Sequence, residues 1–279
     1  MSTAAALPRA WFTGLVDHAG VYPPASLALD DALADYRVLA RSDRADLLGP
    51  LLVPASRAAD LRALLQGADA LDLALIADDG LASLAVGRDA LLDDDRATVV
   101  HVEVALPSDL DPALSAEAYL DHLDFTAPAF LEVPRRGFDA ALDVLAADGA
   151  ERAKYRTGGV EAAAHPSEAE LAAFLVGCAR RRLPFKLTAG LHHALRTTTA
   201  EGFEQHGVLN VLAAVDAAAQ GGDEQSVAAV LAVREVGTLA PALAAGDPRR
   251  ARALFLSFGC CAPDEPLDEI ERLGLLGEG

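Results

Sequence analysis

Two lysines stand in this chain of 279 residues, against 21 arginines. They fall in matching places, Arg152-Ala-Lys-Tyr-Arg-Thr-Gly-Gly159 and Leu183-Pro-Phe-Lys-Leu-Thr-Ala-Gly190. Each lies in a short strand-like run behind a helix-like stretch, and each is followed four residues later by glycine. With strands at about a fifth of a chain, chance would put both in strands about one time in twenty-five. Arginine is permanently charged, whereas lysine can lose its proton and become a nucleophilic amine. Retaining lysine at Lys154 and Lys186 alone therefore points to amine chemistry, in which attack on a carbonyl gives a carbinolamine and then a Schiff base.

The other polar residues in strand-like runs could serve that chemistry. Side chains alternate along a strand, so His101 and Glu103 share one face, as do Lys154 and Arg156, and Lys186 and Thr188. Glu132 lies near the end of the fifth run, and Asp17 and His18 close the first. If the two lysines approach each other, a nearby ammonium and a dry surrounding are both expected to lower an amine pKa toward neutrality. Glu103 or Glu132 would move protons, and Asp17 joins them as a third carboxylate. Arg156 with the Thr157-Gly-Gly159 turn would hold a carboxylate or phosphate. His18, His192, His193 and Thr188 complete the expected binding surface. Ser257 and Gly259, in Ser257-Phe-Gly-Cys-Cys261 ahead of a final helix at 266–273, sit where many barrels bind phosphate. His101 reads as a hydrogen-bonded core residue and Cys178 as core. His18, His101, Glu103, Glu132 and His192 offer ligand atoms, but no motif such as His-Glu-x-x-His appears, and neither metal nor cofactor is expected.

Strand-like runs occur at 11–17, 50–54, 71–77, 98–106, 129–134, 152–157, 184–189 and 253–258. Amphipathic segments lie between them at 27–41, 56–65, 115–123, 138–148 and 167–181, the last opening on the capping-box spacing Ser167-Glu-Ala-Glu170. Eight strands alternating with helices, with no linker between halves, predict one α/β domain over 1–279, a closed (β/α)₈ TIM-type barrel. A doubly wound open sheet is the alternative. More than sixty residues separate the last two strands, with helical patterns at 207–219 and 224–235. This predicts a helical insertion at about 197–250, acting as a lid or as a subunit contact in a homo-oligomer.

A net charge of −19 argues against nucleic acid or an anionic membrane as partner. No apolar run reaches membrane-spanning length, and the N-terminus lacks a basic segment followed by an apolar one. Three cysteines make no disulfide framework, so a cytoplasmic location is expected.

Lys154-Tyr-Arg-Thr-Gly158, followed about thirty residues on by Lys186-Leu-Thr-Ala-Gly190, resembles the strand-six and strand-seven lysine motifs of deoxyribose-phosphate aldolases. His101-Val-Glu-Val-Ala105 is loosely similar to the acidic strand segment of that family, with Glu103 in place of its aspartate. The resemblance implies a class I aldolase barrel in which Lys154 forms the Schiff base and Lys186 tunes it. Tyr155 and Arg156 replace the small residues usual there, and the stretch before the eighth strand is longer. The whole chain also looks like a group of actinobacterial proteins with Gly-Leu-Val-Asp, Tyr-Pro-Pro, Phe-Lys-Leu-Thr-Ala-Gly-Leu-His-His and Ser-Phe-Gly-Cys segments, a likeness that implies no activity.

The expected function is thus a class I aldolase or lyase acting on a small anionic carbonyl compound. Two alternatives stand beside it. One is a non-covalent acid–base isomerase or dehydratase, with or without metal. The other is a non-catalytic barrel, whose buried lysine–carboxylate pairs merely neutralise one another.

Overall fold

The computed structural model describes residues 6–67, 69–123, 126–200 and 202–277. Eight parallel strands close into a barrel: β1 (Val16–His18), β2 (Leu48–Pro54), β3 (Leu71–Ile76), β4 (Ala97–Ala105), β5 (Ala129–Glu132), β6 (Arg152–Arg156), β7 (Phe185–Thr188) and β8 (Phe255–Cys260). Each strand pairs with its neighbours in sequence, and β8 returns to β1. Helices α1 (Leu29–Leu39), α2 (Ala58–Leu64), α3 (Gly80–Leu91), α4 (Pro112–Leu120), α5 (Phe138–Asp148) and α6 (Glu168–Arg181) follow the first six strands in turn. This is the (β/α)₈ TIM barrel that the alternation predicts.

Alternation decides what each strand shows to the axis. Phe185 and Leu187 face the helices while Lys186 faces inward, and Ala153 and Tyr155 face out while Lys154 faces in. The outward aromatics make the main packing seam: Tyr155 stacks on Phe174 at 4.5 Å, and Phe174 meets Phe185 edge-on at 5.2 Å. The capping box at the start of α6 is formed as expected, with the Ser167 amide donating to Glu170 at 2.8 Å.

Two local readings change. Residues 11–15 are not strand, because a 3₁₀ turn (Arg9–Trp11) precedes β1 and Trp11, Phe12 and Leu15 are buried. Trp11 packs against the turn at Gly246, where an added Cβ would lie 3.1 Å from its ring. The helix α3 also goes unread in the sequence, since glycines stand at its start and within it. Gly87 is required there: a Cβ would come within 2.8 Å of the Ala55 carbonyl, so glycine lets α3 pack on the β2–α2 turn.

Between β7 and β8 lie a two-stranded antiparallel ribbon (Thr197–Thr198 with Glu204–Gln205) and helices α7 (Val208–Ala219), α8 (Glu224–Leu231), α9 (Val236–Ala245) and α10 (Pro248–Arg252). The buried Asn210 on α7 ties this segment together, donating to carbonyls of α8 and the turn after it and accepting from the Arg196 amide. Helix α11 (Asp264–Arg272) closes the chain. No helix among the described residues is long and apolar enough to cross a membrane.

Candidate active site

The strand ladders bring the two lysines side by side. Lys154 is the direct partner of Lys186, Glu132 that of Lys154, and Ser257 that of Lys186, so four adjacent strands place these residues on one level. The glycines that follow the lysines explain the repeated spacing. Gly158 and Gly190 touch where the β6 and β7 loops cross, and a Cβ on Gly158 would lie 2.5 Å from the Gly190 Cα. Gly190 also has a positive φ of 76°, which L side chains rarely adopt.

Inside the barrel the charges alternate in a chain. The Lys186 ammonium donates to Asp17 and to Glu103. The other oxygen of Glu103 pairs with Lys154 at 2.6 Å, and Lys154 pairs with Glu132 at 2.9 Å. Glu132 accepts in turn from Arg156 Nε at 2.8 Å. Three carboxylates thus interleave with three cations, with no two like charges adjacent along the chain. Asp17, Glu103 and Lys186 are wholly buried, Lys154 nearly so, and Arg156 reaches solvent. Ser257 donates to Asp17 at 2.8 Å, so its hydroxyl is engaged with the buried carboxylate at the inner end of the chain.

This arrangement changes the expected electrostatics. Burial alone would strip Lys154 of its proton, but Glu103 and Glu132 outweigh it and hold the ammonium above its ordinary range. Burial likewise opposes ionisation of Glu103, yet Lys154 and Lys186 hold it well below the usual carboxylate range. Glu132 is lowered in the same way by Lys154 and Arg156. The expectation that Lys186 lowers the pKa of Lys154 therefore fails. A carboxylate stands between the two ammoniums, and opposite charge at contact outweighs like charge further off.

His101 belongs to the network. Its Nε2 lies 3.0 Å from Glu103 and 3.4 Å from Lys186 Nζ, and its ring meets Phe130 edge-on at 4.9 Å. Burial and then Lys186 lower its pKa, so the imidazole is neutral. It can take a proton from Lys186 or give one to Glu103 according to tautomer. Asp17, His101 and Glu103 bring three ligand atoms within 4.8 Å of one another, which is metal-site spacing. The Lys186 ammonium contacts all three, so an internal cation stands where a metal would.

The remaining candidates divide. Arg156 joins the chain, and Thr188 and Gly259 lie above Lys186 as partners across β7 and β8. His18 does not join. It points to the helix layer, pairs with Asp35 at 2.9 Å and packs against Tyr36, because it alternates with the inward Asp17. His192 and His193 are held by α11, through Glu265 at 2.7 Å and Glu269 at 2.9 Å. The expected phosphate position at the start of α11 carries Asp264 and Glu265 in its first turn, which disfavour an anion.

Two residues escape the sequence reading. Tyr22, in the loop after β1, has a buried hydroxyl with no hydrogen-bond partner, and burial with the nearby Glu103 charge keeps it protonated. Its only sequence signal is the stiff Tyr22-Pro-Pro24 segment. Gly49 leaves the room that Asp17 occupies, since a Cβ there would lie 2.0 Å from Asp17 Oδ1. Gly49→Ala should push that carboxylate off Lys186 and cost about 2–3 kcal/mol. An unchanged urea midpoint would show that Asp17 has another place to go.

Comparison with protein-family models, with curated proteins and with solved structures returns no match. Neither the aldolase likeness nor the actinobacterial one gains support from these comparisons; the closed parallel barrel stands on its own geometry.

Proposed function

We propose that this protein is a lysine-imine lyase of the aldolase type, acting on a small anionic carbonyl compound with Lys154 as nucleophile. The observation that carries the reading is the position of Lys154. Its Nζ lies between two carboxylates, and one of them, Glu132, also lines an open cavity between the loops at the C-terminal ends of β4, β5 and β6. Chemistry in barrels of this type is built at that end.

The steps use residues already in contact. Lys154 passes a proton to Glu132, and the freed amine adds to the substrate carbonyl. The carbinolamine hydroxyl takes a proton back from Glu132 and leaves as water, giving an iminium. A carboxylate then removes the proton of the β-hydroxyl, the carbon–carbon bond breaks, and its electron pair moves into the iminium to give an enamine. The other fragment departs as an aldehyde. Protonation of the enamine and hydrolysis return free Lys154. In this reading Glu103 and Lys186 position the amine and balance its charge, with Asp17 anchoring Lys186.

The raised pKa of Lys154 supports a second reading, acid–base isomerisation or dehydration in which the ammonium stays charged and stabilises an enolate. One experiment separates the two: incubation with small ketoacids and hydroxyaldehydes under borohydride, followed by intact-mass and peptide mapping. The imine reading expects one adduct per chain, on Lys154, and none in Lys154→Arg. A reaction abolished by Lys154→Arg that never yields an adduct would transfer the case to the enolate reading. Full activity in that variant would end both.

A further inference from the structure

The cavity beside Glu132 holds about 280 Å³ between the loops after β4, β5 and β6. At about 30 Å³ for each water-sized atom, that is room for roughly nine non-hydrogen atoms. Its polar lining is Ser108, Glu132, Arg135, Tyr155 and Arg156. Glu132 is already neutralised there by Lys154 and Arg156, so what the wall offers an incoming group is chiefly hydrogen-bond donors.

Tyr155 is the telling residue. Its ring is clamped between Phe138 and Phe174, and the side chain is 1% exposed, yet its O–H has no acceptor, since the Arg135 guanidinium beside it can only donate. A buried hydroxyl left unpaired costs stability, and such groups in folded proteins call for an explanation. Burial pushes this hydroxyl up to about 12, so at neutral pH it is a donor waiting for an acceptor. Arg135 stands beside it, anchored through Nη1 to the carbonyls of Ala163 and His165. Arg156 completes the group, half exposed, with Nε committed to Glu132.

We infer that Arg135, Arg156 and the Tyr155 hydroxyl form a subsite for an oxyanion, the carboxylate or phosphate of a small ligand. Two guanidiniums and a phenol are donors without acceptor capacity of comparable strength, which is the complement of such a group. Its role in the reaction rests on the lysine-imine reading, and then it has a consequence. An anion on Arg156 weakens the hold of that guanidinium on Glu132, raises the proton affinity of Glu132, and lets it accept the Lys154 proton. The substrate would thereby release the amine that attacks it.

The test is calorimetric and NMR titration of the whole chain with inorganic phosphate and with acetate, at constant ionic strength and with no carbonyl present. One saturable anion per chain is expected, weakened about tenfold or more in Arg135→Met and in Tyr155→Phe. Tighter phosphate assigns a phosphate monoester to the subsite, and tighter acetate assigns a carboxylate. Tyr155→Phe keeps the ring in its stack and decides the matter alone if Arg135→Met does not fold. Equal affinity in all three proteins, or no saturable binding of either anion, overturns the subsite. Trapping of a neutral ketone on Lys154 is scored separately, so failure of the subsite and failure of the imine reading are distinguishable.

Discussion

Glu103→Gln is expected to be among the most damaging single exchanges in the barrel, lowering stability by about 3–5 kcal/mol and the melting temperature by about 10 °C or more. Glu103 gives one oxygen to each lysine. Its amide would leave two buried ammoniums facing a neutral group, with only Asp17 and Glu132 at the outer ends to balance them. The pH dependence should change with it. Glu103 and Glu132 are held below 4.5, so the stability they add is complete above that value and is lost as pH falls toward their native pKa values. His101 is held below 6.5 and adds to the same acid-side loss, because its buried ring must charge. Lys154 is held above 10.5, so its contribution is complete below that pH and is lost as pH climbs through the native value. The wild-type chain should therefore lose stability on the acid side as pH falls below 6.5, with that limb shallower in Glu103→Gln. Melting curves from pH 3 to 11 measure this. A variant that melts within about two degrees of wild type would mean the ion chain contributes little to the fold.

Pyruvate is expected to be trapped on Lys154 about 100-fold faster than methyl pyruvate at pH 7, under equal cyanoborohydride. Removing the influence of one opposite charge typically moves a carboxylate by one to three pKa units, and two units is a factor of about 100 in proton-transfer equilibrium. The ester cannot engage Arg156 as an anion and so meets Lys154 in its resting, protonated state. Its trapping rate should rise about tenfold per pH unit from 7 to 10, following the small amine fraction of a lysine held above its usual range. Pyruvate should show a flatter profile, because it lowers that barrier itself. Initial rates by intact mass decide between them. Equal rates for acid and ester across the range would leave Arg156 no part in releasing the amine.

A good part of this protein was legible before any fold was seen. Alternating apolar runs specify a (β/α)₈ barrel, since parallel strands joined by helices must bury both faces of a sheet. The period of two along β4, β6 and β7 grouped His101 with Glu103, Lys154 with Arg156 and Lys186 with Thr188 on shared faces, and the closed barrel decided that those faces turn inward. The repeated glycine four residues past each lysine was visible as a pattern, and its cause became plain at the crossing of Gly158 and Gly190.

Partner choice was another matter. Whether two adjacent ammoniums repel or are separated depends on which carboxylates reach between them, and those come from β1, β4 and β5, as far as 169 residues away in sequence. That geometry turned an expected free amine into a charged one. It sent His18 outward while Asp17 turned in, it gave His192 and His193 to α11, and it left the hydroxyl protons of Tyr22 and Tyr155 without acceptors. Strand patterning is local and survives in one dimension. The sign and size of a pKa shift come from distances closed across the barrel, and those exist only once the strands have met.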